Sequence, residues 1–373
     1  VPENRWSGVR GVPETAGWSM KVAAGLYDSL ANELSYDQIQ QMMDQLLGEE
    51  SFGFADMVQS MIRNGKADTV VDLLHSFRKI VLSSFSSDRK MFVSLIAVAL
   101  VGAVFSNFSK VLHGKEVAGT AFYIVYLLFF SILATSFLQI AQLAGQTMEN
   151  LLAFVKVLIP AFFISLSFTQ GGVAAGAYYE FALAMIMVVN WLLAGLALPA
   201  VHLYFFLQVV NQLSGEDMFS KMADLIRDGV RFGVKAVFGL MMGMNVIQGL
   251  IIPVSAEVKN MTMVRLSSSI PGVGNSVGNV LQTVLCAGKL VKNAVGVAGV
   301  IAVFFLCAVP LLQMIVSRVL FQIAAAVVQP VSDKRLIRGL SGAVRAVDLY
   351  IYTVGVGALL FISSIAMISA FTT

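Results

Sequence analysis

Residues 179–213 read YEFALAMIMVVNWLLAGLALPAVHLYFFLQVVNQL, an apolar stretch of 35 residues that decides the class of fold. As one straight α-helix it would be about 52 Å long at 1.5 Å per residue, whereas the hydrocarbon core of a bilayer is about 30 Å thick. Pro199 lies near its middle, and proline removes a hydrogen-bond donor and clashes with the preceding helical turn. The stretch therefore predicts a membrane helix that is broken, folded into a hairpin, or extended beyond the bilayer.

Features of this stretch recur about 111 residues further along the chain. The matched pairs are Ile159-Pro160 with Ile270-Pro271, Leu198-Pro199 with Val309-Pro310, and Leu225-Ile226-Arg227 with Leu336-Ile337-Arg338. Because the chain holds only 8 prolines, two proline pairs at one offset favour an internal duplication over coincidence. Repeats of apolar, proline-broken segments build many membrane transport proteins. We therefore predict two copies of one membrane unit, at residues 145–253 and 256–373.

The composition places the chain in a membrane. It is 57% hydrophobic and 13% charged, with a mean hydropathy of +0.80, and soluble proteins carry about twice that charged fraction. The predicted fold class is all-α: a polytopic helical membrane protein with about five to eight spans. Two of these spans are expected before the repeats, at 91–108 and 117–144, within a unit that covers residues 90–144.

A small acidic head is predicted to precede the membrane body. Residues 1–90 hold 9 Lys and Arg against 12 Asp and Glu, whereas the remainder holds 16 against 10. Apolar residues at 39, 42, 43 and 46 keep helical spacing, which fits a helical head over residues 1–89 and fits a lone helical spacer equally well. The chain begins at Val1 in a polar stretch, as removal of a signal peptide or simple trimming would leave it. We favour the first cause and an extracytoplasmic head, although Arg89 and Lys90 favour the cytoplasmic side.

A charged amphipathic stretch follows the long apolar segment in each copy, and each stretch holds four Lys or Arg. Membrane-protein segments rich in Lys and Arg face the cytoplasm. Both stretches are therefore expected on the same side, which makes the repeats parallel unless one stretch is re-entrant. The candidate docking residues for a cytoplasmic partner are Arg227, Arg231, Lys334, Arg335 and Arg338.

The sequence carries no enzyme signature. It has no phosphate-binding loop, no His-Glu-x-x-His and no nucleophile elbow, and its 3 histidines and 2 cysteines are scattered. We therefore predict neither catalysis nor a cofactor or metal site. Ionisable and polar residues inside apolar spans are costly and often functional. Those that could line a polar pathway or hold the bundle together are Glu180, Asn190, His202 and Arg318, although Glu180 also lies near a span end.

Residues 267–279, SSSIPGVGNSVGN, form the most unusual local sequence. Pro271 and Gly272 favour a turn, and Gly274 and Gly278 permit close backbone approach. Spaced small residues also let membrane helices pack closely. A re-entrant loop, a subunit contact and a plain connector all stay open as interpretations of this segment.

The same region carries a resemblance to a known family. The sequences SSIPGVG at 268–274, TVL at 283–285 and VKNAVGVAG at 291–299 are followed by QPVSDKR at 329–335. These residues closely resemble the stage III sporulation protein AE family, and the resemblance covers about residues 90–373. The precursors of that family carry a signal peptide, which fits the start at Val1.

The resemblance implies a membrane core subunit of the mother cell–forespore channel, or feeding tube, of endospore-forming bacteria. Such a subunit would lie in the mother-cell-derived outer forespore membrane and form or gate a conduit within a secretion-like complex. The partners that it implies are other products of the stage III sporulation A operon, namely an ATPase, small membrane proteins and ring-forming proteins. Stage II sporulation protein Q would meet the complex across the intermembrane space, and the subunit itself is expected to be a homo-oligomer.

Two other functions are compatible with the residues. A self-sufficient secondary transporter of a small solute would use the repeats, the broken helices and a polar site near the bilayer midplane. A purely structural membrane anchor for the rings would need no polar pathway at all. No nucleic-acid partner is predicted, because the basic excess of the body suits cytoplasmic loops and anionic lipid.

Overall fold

The computed structural model describes residues 36–47, 53, 54, 56–59, 93, 97, 115–170, 172–214, 218–268, 274–330 and 334–370. The regular elements in these ranges are α1 Tyr36–Leu47, α2 Lys115–Gln170, α3 Gly172–Asn190, a π-helical segment Trp191–Ala197, α4 Leu198–Ser214, α5 Ser220–Ser268, α6 Gly274–Val328 and α7 Lys334–Ala370. No β-strand occurs in them. The predicted all-α class is confirmed.

Five stretches within the described helices are long and apolar enough to cross a membrane. They are Tyr126–Pro160, Glu180–Gln212, Ser220–Ile247, Lys292–Val328 and Lys334–Met367. The chain is therefore a multi-pass membrane protein. The further span predicted at 91–108 lies outside the described residues, apart from positions 93 and 97.

Helix α2 joins two stretches that the sequence analysis kept apart. It runs without a break for 56 residues and contains Pro160. A straight helix of that length would measure about 84 Å, which exceeds the hydrocarbon core even at a tilt of about 40°. Residues 144 and 145, between which the first repeat is predicted to begin, both lie inside α2. The four-part division of the chain and its 111-residue duplication stay predictions.

The long apolar stretch around Pro199 is a continuous helical path with one widened region. Asn190 and Leu198, which flank the π-helical segment, both have right-handed helical backbone angles, and the Leu198 N–H donates to the Leu193 carbonyl five residues earlier. A proline ring clashes with the preceding turn of an α-helix, and a local π-helical bond pattern is one way to relieve that clash. The stretch is therefore neither a hairpin nor interrupted. Pro310 lies inside the uninterrupted α6.

Helix α7 lies at the centre of the described bundle, because it packs against α2, α4, α5 and α6. Its inward face is apolar and carries small residues, with Leu340, Ala343 and Tyr350 all fully buried. Small residues allow close helix approach in membranes. At Gly339 the approach to α2 is so close that a Cβ atom would lie 2.5 Å from Cζ of Phe130.

Helix α1 lies on the membrane body. It packs against α2 and α6, and Ile39 and Met43, which share one helix face, are buried in the same apolar core as the membrane helices. The predicted helical periodicity of this segment is thus present as a buried stripe. Most of the remaining head lies outside the described residues.

Candidate functional site

Polar contacts between the membrane helices converge on α7. Arg345 and Asp348 are three residues apart, so their side chains lie on one side of that helix. Arg345 reaches α4, and Asp348 reaches α6. We define the α7 polar cluster as Tyr204, Gln208, Arg318, Gln322, Arg345 and Asp348.

On the α4 side of the cluster, Arg345 is the donor. Its Nε donates to the Tyr204 hydroxyl oxygen at 3.2 Å, and its Nη2 lies 3.5 Å from Oε1 of Gln208. Tyr204 and Gln208 are both buried and lie one helical turn apart. The helices come close here because Gly342 has no side chain: a Cβ there would lie 3.2 Å from Cβ of Gln208. Arg345 therefore fixes α7 against α4.

On the α6 side, the cluster contains an ion pair. The Arg318 Nε donates to Oδ1 of Asp348 at 2.6 Å, and its Nη1 donates to Oε1 of Gln322 at 3.0 Å. Charge-assisted bonds of this kind are shorter and stronger than neutral ones. The Arg318 and Asp348 side chains are 35% and 38% exposed, so the pair lies at the edge of the bundle. It stabilises the packing of α6 against α7.

Helix α5 contributes a third cation to the same region. Arg227 pairs with Asp224 at 3.1 Å and with Asp228 at 3.0 Å, both on its own helix. It also lies close enough to Tyr204 to interact with it electrostatically. Tyr204 is therefore near Arg227 on α5 and Arg345 on α7, so the two charged stretches that the sequence analysis paired approach one point in the fold.

His202 belongs to an aromatic group deeper in the bundle. Its ring packs edge-to-face with Phe137 of α2 and Tyr350 of α7, at centroid distances of 6.2 and 5.6 Å. Phe137 also stacks on Phe205 at 3.7 Å. The Nδ1–H of His202 donates to the Leu198 carbonyl at 3.0 Å, because a carbonyl oxygen can only accept. This imidazole connects α2, α4 and α7.

The four predicted pathway residues do not meet. Glu180 is exposed at the start of its span, and Asn190 is half-buried where α3 ends. His202 lies in the aromatic group and Arg318 in the ion pair. No hydrogen bond or ion pair joins any two of these four described side chains. Arg318 stabilises the packing of two helices, and a pathway role for the four stays a prediction.

The other predicted residues are placed as follows. Pro271 and Gly272 lie outside the described residues, whereas Gly274 and Gly278 lie in the first turns of α6. Of the docking residues, Arg231, Lys334 and Arg338 are exposed, and Arg227 and Arg335 are half-buried. Their docking role stays a prediction.

The sequence analysis did not identify several polar contacts of the bundle. Tyr204 and Gln208 are ordinary residues of an apolar segment, and only the crossing of α4 with α7 brings them to Arg345. Lys292, in the segment that carries the family resemblance, is fully buried in α6. The signal that could have pointed to it is a lysine within an apolar run, which is costly in a membrane.

The described residues contain no group of three or more His, Cys, Asp or Glu side chains that could hold a metal ion.

The chain matches the sequence model of the family named stage III sporulation protein AE over residues 52–372. It belongs to the stage III sporulation protein AE family. The match includes all five candidate spans. The resemblance predicted from the sequence is confirmed.

A curated member of the stage III sporulation protein AE family gives the second comparison. Stage III sporulation protein AE of Bacillus subtilis (strain 168) is 23% identical over 281 residues, which cover 75% of this chain and 70% of the relative. No solved structure matches the chain significantly. Membership of this family implies a role in sporulation and involvement in the stage III sporulation system, and the family name carries no enzymatic activity.

Proposed function

We propose that the chain is a membrane core subunit of the channel between mother cell and forespore, and that it helps to form or gate the conduit without catalysis of its own. The observation that carries this proposal is the family match over residues 52–372, because it covers the whole multi-pass body. A sporulation role combined with five candidate spans favours a transenvelope conduit over a soluble factor. The proposed location is the outer forespore membrane.

The proposed energy source is a partner ATPase, which would dock on the basic stretches of α5 and α7. Arg231, Lys334 and Arg338 present exposed positive charge. Arg227 lies near Tyr204, which also bonds Arg345, and this supports one basic surface at one end of the bundle. Lys- and Arg-rich segments favour the cytoplasmic side, where an ATPase would reach them.

On the side of the membrane opposite the ATPase, the proposed partners are ring-forming proteins and stage II sporulation protein Q in the intermembrane space. They would meet the head. Helix α1 packs on α2 and α6, so contacts made by the head would bear directly on the membrane helices. Small membrane proteins of the same operon would complete the assembly within the bilayer.

A charge-reversal experiment tests the docking surface. In Arg335→Glu with Arg338→Glu, the capture of the operon's ATPase on the tagged, detergent-purified protein should fall several-fold, because docking on the basic surface loses its electrostatic complementarity. The matched control is Asp44→Lys, which reverses an exposed charge on α1. Both variants should elute from size exclusion like the parent protein. Undiminished ATPase capture by the Arg335, Arg338 variant would refute the docking assignment.

A further inference from the structure

Side-chain oxygens without a hydrogen-bond partner lie within the bundle at Asn190, Tyr350 and Thr353. Tyr350 and Thr353 are both 0% exposed, and no donor or acceptor in the described part of the chain satisfies their hydroxyls. Leaving such groups unpaired in an apolar interior is costly, and membrane proteins satisfy nearly all of them. These oxygens therefore point to a polar occupant.

Tyr350 and Thr353 lie on one side of α7, where the Tyr350 ring contacts His202 of α4 and Phe137 of α2. They are three residues apart, and Gly357 continues the same side of the helix one turn later. A Cβ at Gly357 would lie 2.9 Å from the Met148 sulfur and 3.3 Å from Cδ1 of Leu193.

The backbone supplies a further acceptor at this level. Pro199 has no N–H, so a carbonyl in the turn before it receives no helical hydrogen bond from that residue. The Leu198 N–H already donates to the Leu193 carbonyl oxygen. Both Pro199 and Tyr350 lie near the middle of their candidate spans, Glu180–Gln212 and Lys334–Met367. The carbonyl before Pro199 and the Tyr350 hydroxyl thus both belong to residues near the middle of a candidate span.

His202 adds a group that can accept a hydrogen bond. Its Nδ1–H is donated to the Leu198 carbonyl, which leaves Nε2 as an acceptor in the neutral ring. The His202 and Tyr350 rings are edge-to-face neighbours at 5.6 Å. The polar groups along this side of α7 are the two hydroxyls, a backbone carbonyl before Pro199 and the His202 imidazole. Asp348, the nearest carboxylate along α7, is bound to Arg318.

We propose that these groups hold ordered water, in a hydrated polar site between α7 and the path formed by the π-helical segment and α4. Water fits the chemistry because a hydroxyl both donates and accepts, and no carboxylate among the described residues near this site is free to hold a cation. Buried waters make about three hydrogen bonds to otherwise unsatisfied groups. The site lies within one protomer, and it stands whether or not the channel assignment is correct.

Hydroxyl-radical footprinting of the detergent-purified protein tests the site without any substitution. Radicals produced from water bound inside a protein label its immediate neighbours. We expect Tyr350 to be labelled several-fold faster than Phe129, an equally buried aromatic residue, after correction for intrinsic reactivity. Labelling of Tyr350 no faster than that of Phe129 would overturn the proposal.

Removal of the hydroxyls gives an independent test, which depends on whether the Tm falls or rises. If they bind water, Tyr350→Phe and Thr353→Val each lower the apparent Tm, because each removes a hydrogen bond to that water. If the hydroxyls are dry, their removal relieves a desolvation cost and the Tm rises. The matched control is Thr147→Val, whose buried hydroxyl donates to the Leu143 carbonyl within its own helix. An unchanged or raised Tm in the Tyr350 and Thr353 variants, relative to that control, contradicts the proposal.

Discussion

Replacing Asp348 with Asn should measurably loosen the packing of α6 against α7. The Asp348 carboxylate accepts from Arg318 at 2.6 Å, and both side chains are slightly more than one third exposed. Fully exposed ion pairs contribute up to about 1 kcal/mol, whereas removal of one partner from a buried pair costs about 3–5 kcal/mol. The pair is partly exposed, and Arg318 keeps its bond to Gln322 after the substitution. We therefore expect Asp348→Asn to lower the free energy of unfolding by about 2 kcal/mol, between those limits. The apparent Tm should fall by roughly 2–4 °C, because the entropy of unfolding of 373 residues is about 0.8 kcal/mol/K.

The assay is thermal unfolding of the purified protein, followed by fluorescence-detected size exclusion. Asp228→Asn is the control, because Asp228 is 65% exposed and its pair with Arg227 is screened by solvent. Its Tm should stay close to that of the parent protein. The double variant Arg318→Met, Asp348→Leu should be more stable than Asp348→Asn, since it leaves no unpaired charge. A wild-type Tm for Asp348→Asn, or a double variant less stable than both Asp348→Asn and Arg318→Met, would refute this reasoning.

The remaining substitutions test the packing of α7. Gly339→Ala should lower the Tm, because its Cβ would lie 2.5 Å from Phe130 and overpacking costs about 1–3 kcal/mol against a helix-propensity gain of about 1 kcal/mol. Gly355→Ala on the same helix should raise the Tm, because a Cβ added there meets no neighbouring atom within 4 Å. Equal Tm shifts for the two alanine variants would contradict the close approach at Gly339. Tyr204→Phe should cost about 1 kcal/mol by removing the acceptor of Arg345, and a coupling energy near zero between Tyr204→Phe and Arg345→Ala in a double-mutant cycle would disprove that bond.

The class of the fold could be predicted from the sequence because bilayer thickness constrains the chain strongly. Apolar length alone predicted helical spans, and the five candidate spans of the described residues confirm a multi-pass protein. Residues 179–213 were predicted to be a broken helix, a hairpin or an extended span, and the continuous helical path excludes the first two. The type of disturbance, a π-helical widening from Trp191 to Ala197, depends on how the preceding turn adapts to the proline.

The polar contacts could not be predicted, because they depend on which helices cross. Arg318 was a conspicuous charge in an apolar segment, and Asp348 lay in a different, amphipathic stretch. Only the packing of α6 on α7 places them 2.6 Å apart. Tyr350 looked like one more apolar residue, and its unpaired hydroxyl follows from burial by neighbouring helices. Hydropathy indicates which segments enter the membrane, and tertiary packing decides which of their polar groups meet.

The measurement that tests the proposed function most directly is cryo-electron microscopy of the detergent-purified protein, read for oligomeric state and the position of any opening. A channel subunit predicts a ring of protomers around a central opening, with the conduit bordered by faces of several copies. A monomer or simple dimer with an enclosed, solute-sized cavity near His202 would contradict the channel assignment and favour a self-sufficient solute transporter.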